Sequence, residues 1–242
     1  MSSRDDQESS LRNRLKRFEM AREQGQTSYA LEGFRAVRQE AAKKGETEIV
    51  ALATAHMVVC YKHIYQNTKE QSSLLLMEAE IKQALSLPCS KDIKTVLLLR
   101  YADLECERGN LLQAESFCRQ ADQLTIKGGQ SEAECLRRWA QCKTLLGKLA
   151  EAEQLLNRSA EIVKKLGAPK TFERVSFECG LLAHQARLSF AQRRYAAAAK
   201  RFCQGYVLAW EYRLRYGMPQ RVTQYHRGLF QAFGAMHRRV GK

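Results

Sequence analysis

The sequence predicts an all-α chain of about five antiparallel helix pairs stacked in tandem, with one further helix at the end. Three observations carry that expectation. A glycine stands five residues before an alanine in Gly25–Ala30, Gly109–Ala114 and Gly147–Ala152, and Arg193–Ala198 keeps the alanine without the glycine. Helix-stopping residues recur between the pairs, at Lys44-Gly45, Pro88, Gly128-Gly129, Gly167-Ala168-Pro169 and Gly217-Met218-Pro219. Only three prolines occur in 242 residues that are 45% hydrophobic and 27% charged, a balance suited to long helices around a narrow core.

Taken in order, residues 1–10 hold no apolar side chain after Met1 and are expected to form a loose, disordered tail. Helix pairs are expected at about 11–44, 47–87, 95–127, 133–166 and 179–216. A basic capping segment follows at 219–242, whose helix, 219–240, covers the open end of the stack. A stack of this kind needs no internal boundary, so one continuous array is the simplest expectation.

The logic within a pair is steric. Glycine ends one helix in the left-handed conformation and a short turn reverses the chain. Alanine then lets the partner helix approach closely. Small residues recur where two helices would cross: Ala102, Ala114 and Ala121; Ala140, Ala152 and Ser159; Ala186, Ala198 and Gly205. Bulky residues fall between them, namely Leu98, Tyr101 and Phe117, then Leu136, Trp139 and Leu156, then Leu182, Phe202 and Tyr206.

This arrangement resembles the tetratricopeptide-repeat (TPR) family, whose helix pairs carry small residues at successive crossing positions and glycine at the intervening turn. The resemblance covers roughly residues 11–216. It is strongest in 95–127 and 133–166 and weakest in 47–87, where Met77, Ile81, Ala84 and Pro88 fit the second helix and its exit but no turn glycine is present. The first pair departs at Phe18, where a small residue is expected. Equivalent positions 30, 77, 114, 152 and 198 are 47, 37, 38 and 46 residues apart, so the repeat is similar to the long-helix variants such as those of kinesin light chain. The resemblance implies a right-handed α-solenoid that works as a scaffold or adaptor for other proteins and carries out no catalysis. It also implies an inner groove for an extended peptide or helix, with Arg100 and Asp103, then Arg137, Arg138 and Gln141, then Arg187 on the groove faces. The lysine and asparagine with which chaperone-binding members hold a terminal carboxylate are missing.

Charge is divided unevenly along the chain. The net charge is +14, and residues 181–242 hold twelve Lys or Arg against one acid, Glu211. Earlier stretches are nearly balanced. Ten of the twelve are arginine, whose planar fork suits carboxylates and phosphates. The expected basic surface comprises Arg193, Arg194, Arg201, Arg213, Arg215, Arg221, Arg227, Arg238 and Arg239. Half of the aromatic residues share this segment. Basic and aromatic interleaving is also what single-stranded nucleic-acid binders use. An acidic protein partner is the first expectation and nucleic acid the alternative. Phe202, Tyr206 and Trp210, four residues apart, read as core.

Other chemistry finds little footing. No phosphate-cradling, nucleophile-elbow or HExxH motif occurs, so neither an active site nor a small-molecule substrate is expected. His56, Cys60 and His63 share a helix face, and the reading preferred over a metal site is a buried histidine in a helix contact. No metal or cofactor is expected. The eight cysteines are scattered singly and read as reduced, mostly buried packing residues. Asn157-Arg158-Ser159 is a glycosylation sequon by spelling only. No signal sequence opens the chain, and the longest apolar run, Ile49–Tyr61, falls short of the ~18 residues of a membrane span. An intracellular location, cytoplasm or nucleus, is therefore expected.

Overall fold

The computed structural model describes residues 4–166, 172–216 and 219–240. Among them are eleven helices and no strand: α1 (Arg4–Glu23), α2 (Thr27–Lys43), α3 (Thr47–Thr68), α4 (Gln71–Leu85), α5 (Lys91–Arg108), α6 (Leu111–Leu124), α7 (Gln130–Leu145), α8 (Leu149–Lys165), α9 (Phe172–Ala191), α10 (Tyr195–Tyr216) and α11 (Pro219–Val240). The tail expected over residues 1–10 is helical from Arg4. Once Leu11 and Leu15 are buried, each residue added before them gains a backbone hydrogen bond without a new nucleation cost.

The chain forms two compact units, Met1–Asn110 and Leu111–Lys242. In the first unit α2 packs between α1 and α3, and α3 also meets α4 and α5. Its buried side chains include Leu11, Phe34, Val37, Ile49, Met57, Ile81 and Leu97. In the second unit α7 pairs with α8 and α9 with α10, α6 lies on α7, and α11 lies on α10.

The small residues sit where steric logic requires them. Ala102, Ala114, Ala121, Ala140, Ala152, Ser159, Ala186 and Ala198 are all buried, as is Gly205. Ser159, the last residue of the sequon, donates from its hydroxyl to the Ala133 carbonyl at 2.8 Å. Phe18, the departure from the family pattern, is matched by a glycine on its partner. A Cβ at Gly33 would lie 2.3 Å from the Phe18 ring, so α2 supplies the space that α1 takes up. The contact between α10 and α11 uses the same device twice in opposite directions. Tyr225 of α11 fills the space over Gly205, Phe202 of α10 fills the space over Gly228, and the two rings meet edge to face at 6.4 Å.

The turns explain how two hairpins manage without glycine. Gly25, Gly109 and Gly147 have φ of 87°, 82° and 75°. At each, the glycine's own amide and the one after it return to the helix end: Gly109 N–H donates to Cys106 O at 3.2 Å and Asn110 N–H to Glu105 O at 2.8 Å. Arg193 adopts φ 58° and reproduces both bonds, its N–H donating to Phe190 O at 2.9 Å and that of Arg194 to Ser189 O at 2.8 Å. Lys69 ends α3 at φ 61°, with its N–H on Tyr65 O at 2.7 Å. A side chain in this region is disfavoured by about 1 kcal/mol relative to glycine.

Arg193→Gly and Lys69→Gly are therefore expected to raise the urea midpoint, each by the equivalent of about 1 kcal/mol. Gly228→Ala is expected to lower it by roughly 1–3 kcal/mol, because the new methyl would overlap the Phe202 ring.

Candidate functional site

Two groups of charged side chains gather on the odd-numbered helices, one in each unit. In the first unit, Asp103 of α5 is 3% exposed and lies 3.2 Å from Lys62 Nζ of α3 and 3.6 Å from an Arg100 nitrogen. Asp103 thus joins α3 to α5 and is not open to a ligand. A buried carboxylate is tolerated only where cations face it. Nearby, His56 stacks on Phe34 at 5.0 Å with the rings nearly parallel. Arg22 Nη1 lies 3.2 Å from His56 Nδ1. A guanidinium only donates, so this nitrogen accepts and the proton resides on Nε2. Burial, then Arg22 and Arg100, hold the His56 pKa well below its ordinary value.

Cys60, the middle member of the trio, is buried, and burial pushes its thiol up to about 11. It is protonated at neutral pH and a poor thiolate ligand or nucleophile. Among the described residues no group of three or more His, Cys, Asp or Glu is placed to hold a metal ion. All eight cysteines are free; 60, 118, 135, 142 and 179 are buried, whereas 203 is exposed.

In the second unit Arg137 and Arg138 of α7 meet Glu134 and lie near Arg187 of α9. Glu134 receives Arg138 Nε at 2.9 Å and Arg137 Nε at 3.1 Å. Arg137 lies across α9 at Gly180, where a Cβ would come within 3.1 Å of its guanidinium. His184 is buried beside this group. Burial, then Arg137, Arg187 and Arg138, hold it well below the ordinary histidine pKa. Arg187 is exposed; desolvation by its surroundings, with Arg137 and Arg138, lowers its pKa against the opposing effect of Tyr225. Gln141 is half-buried on the same helix as Arg137 and Arg138.

The described arginines of the expected basic surface differ in their surroundings. Arg194 reaches Glu153 of α8 at 3.4 Å. Arg201 is drawn into the α9–α10 contact, donating to Ser189 Oγ and, at 3.4 Å, to the Gln185 carbonyl. Arg193 is exposed at the hairpin turn, and Arg227 and Arg238 are exposed on α11. The side chains of Arg213, Arg215, Arg221 and Arg239 lie outside the described residues. Of the aromatic trio read as core, Phe202 is buried, Tyr206 half-buried and Trp210 36% exposed. Four-residue spacing drifts around a helix, so the third residue of such a series leaves the buried stripe that holds the first.

This arrangement of helix hairpins recurs in solved structures. BtubC (BKLC) from P. vanneervenii superposes with a TM-score of 0.56 at 16% identity, covering 90% of this chain and 84% of its own. PilF of Pseudomonas aeruginosa superposes at 0.53 with 14% identity, covering 97% of this chain and 99% of its own. The class is thereby defined: this is an all-α helical-repeat chain with a tetratricopeptide-like fold. No protein-family model matches the sequence, and neither does any curated protein. None of its described helices is long and apolar enough to cross a membrane.

Both histidines predict a pH dependence of stability. Their folded pKa lies below the unfolded value of about 6.5, so on acidification the unfolded chain binds protons that the folded chain refuses. Stability is full above about pH 6.5 and falls as pH is lowered through it. The Lys82 and Arg108 pairings hold the Glu78 carboxyl down to about 2, and such carboxylates lose their contribution only below about pH 4.5. A urea midpoint that drops between pH 7.5 and 5.5, with a shallower drop in His184→Gln, is the expected result.

Proposed function

We propose that the chain is a non-catalytic scaffold or adaptor subunit for protein–protein interaction. In its second unit it binds an acidic stretch of a partner, peptide or helix, on the α7–α9 face, with Arg187 as the principal contact and Arg137, Arg138 and Gln141 beside it. The observation that carries this reading is the charge balance of that face. Arg137 and Arg138 are engaged with Glu134 of their own helix, a buried histidine lies beside them, and among the described residues Arg187 has no carboxylate of its own. A partner carboxylate there would accept a two-pronged, charge-assisted bond. Arg100 and Asp103 belong to the other unit and are engaged with one another, so they are not included in the contact set.

The arginine-rich C-terminal segment is the second half of the proposal, as a surface for acidic partners. Free cysteines throughout fit a reducing compartment, the cytoplasm or nucleus. Nucleic acid is the alternative partner, favoured by exposed rings on α10 and α11 beside Arg227 and Arg238. The two readings separate by salt. Binding to a single strand should weaken with a log–log slope of about −0.7 for every phosphate neutralised.

The test is fluorescence anisotropy with a labelled hexaglutamate peptide and a labelled oligothymidine at about 0.15 M salt. Peptide binding that weakens roughly tenfold in Arg187→Glu, as the loss of a charge-assisted contact entails, supports the reading. Binding unaffected by Arg187→Glu, or binding confined to the oligonucleotide, defeats it.

A further inference from the structure

The exposed side of α11 carries two large aromatic rings among its polar residues. Val222, Tyr225, Gly228, Ala232 and Ala235 are buried, but on the outward side Phe230 is 68% exposed and Phe233 53%. With the exposed His226 and His237 they form a stripe at positions 226, 230, 233 and 237, in steps of four, three and four. That is the seam spacing with which one helix packs along another. The stripe runs about 16 Å along the axis, about three turns.

The seam continues onto α10. Phe230 meets His226 edge to face at 4.8 Å, His226 meets Tyr206 at 6.2 Å, and Tyr206 meets Trp210 at 6.2 Å. Four rings therefore join across two helices into one ridge, ending in two of the large exposed apolar side chains of the chain, Phe230 and Trp210. An isolated exposed aromatic needs no explanation, whereas a connected ridge marks a surface that is covered in use.

The charge around the ridge selects its occupant. Residues 219–240 contain four arginines and no acid, and Arg227 and Arg238 stand exposed at the two ends of the seam. Packing this face on a second copy would set arginine against arginine, which like-charge repulsion opposes. A single nucleic-acid strand would find the charge but has no use for a four-three-four seam. Its bases need open ring faces, and two of the three ring contacts in the ridge are edge to face at 81° and 88°.

We propose that the His226–Phe230–Phe233–His237 seam of α11, extended by Tyr206 and Trp210, is a docking site for one acidic amphipathic helix of a partner protein. Leucine-like side chains of that helix would sit between the two phenylalanines, and its acidic flanks would meet Arg227 and Arg238. This rests on the scaffold reading but not on the α7–α9 face.

The probe is a 21-residue helical peptide with leucine at the two seam positions of each heptad and glutamate flanking them. The control has the same composition with its leucines scrambled. Trp139→Phe leaves Trp210 as the sole tryptophan, so docking is read as a blue shift of its emission. Anisotropy of the labelled peptide on the unmodified chain gives the same answer should that variant fold poorly. The expected result is saturable binding of the patterned peptide alone, weakened about tenfold or more by Phe230→Ala or Phe233→Ala and unchanged by Arg187→Glu. Equal binding of the scrambled peptide would overturn the proposal, as would indifference to both phenylalanine substitutions. So would a Trp210 shift produced by oligothymidine and not by the peptide, or sedimentation as a dimer that Phe230→Ala dissolves. Loss of hexaglutamate binding in Arg187→Glu with seam binding intact would leave the α7–α9 reading standing independently.

Discussion

Each unit depends on the close approach of antiparallel helices, made possible wherever a small residue faces a large one. Dispersion falls off steeply with distance, so a helix pair held an ångström too far apart loses much of its cohesion. Where alanine faces the crossing, the pattern is regular. Where a large residue intrudes, glycine appears opposite it: Gly33 under Phe18, Gly205 under Tyr225, Gly228 under Phe202. Gly180 extends the rule to a charged group, admitting the Arg137 guanidinium against α9. A small residue on the α7–α9 face thus lets a neighbouring group lie close, as in the core, although the flexible Arg137 guanidinium would need to give only a few tenths of an ångström to admit a Cβ at residue 180.

Charge follows a second constraint, the supply of counter-ions. Over the first three quarters of the chain acids and bases are nearly equal in number, and the structure pairs them across helices: Arg38 with Glu80, Lys62 with Asp103, Arg108 with Glu78, Lys143 with Glu115, Arg158 with Glu132. Beyond residue 181 only Glu211 is available. Arginines there turn to hydroxyls and carbonyls, as Arg201 does, reach back to Glu153, as Arg194 does, or stand in solvent, as Arg227 and Arg238 do.

The hairpins were legible because their determinants are local. An alanine five residues beyond a left-handed turn specifies a crossing wherever it occurs, and the helix boundaries follow from glycine and proline between the pairs. The substitutes for glycine were not legible. Nothing in the letters marks Arg193 or Lys69 as residues of positive φ; each is held there by the hydrogen bonds of the helix end it closes. The Phe18–Gly33 exchange was invisible for a related reason, since its halves lie on different helices and each looks like a fault alone. Candidate contacts fared unevenly. The resemblance placed Arg187 and Asp103 alike on the groove faces, whereas the burial of Asp103 turned on Lys62, forty-one positions earlier in the chain.

By itself the sequence determined the all-α helical-repeat class and the concentration of positive charge after residue 181, because periodicity, turn chemistry and composition act over a few residues. Only the tertiary structure decided which charges are spent within the protein and which remain, which aromatic residues are core and which form a ridge, and that the helices gather into two units. Those outcomes depend on what each side chain meets across a helix interface, and that is settled by packing between segments far apart along the chain.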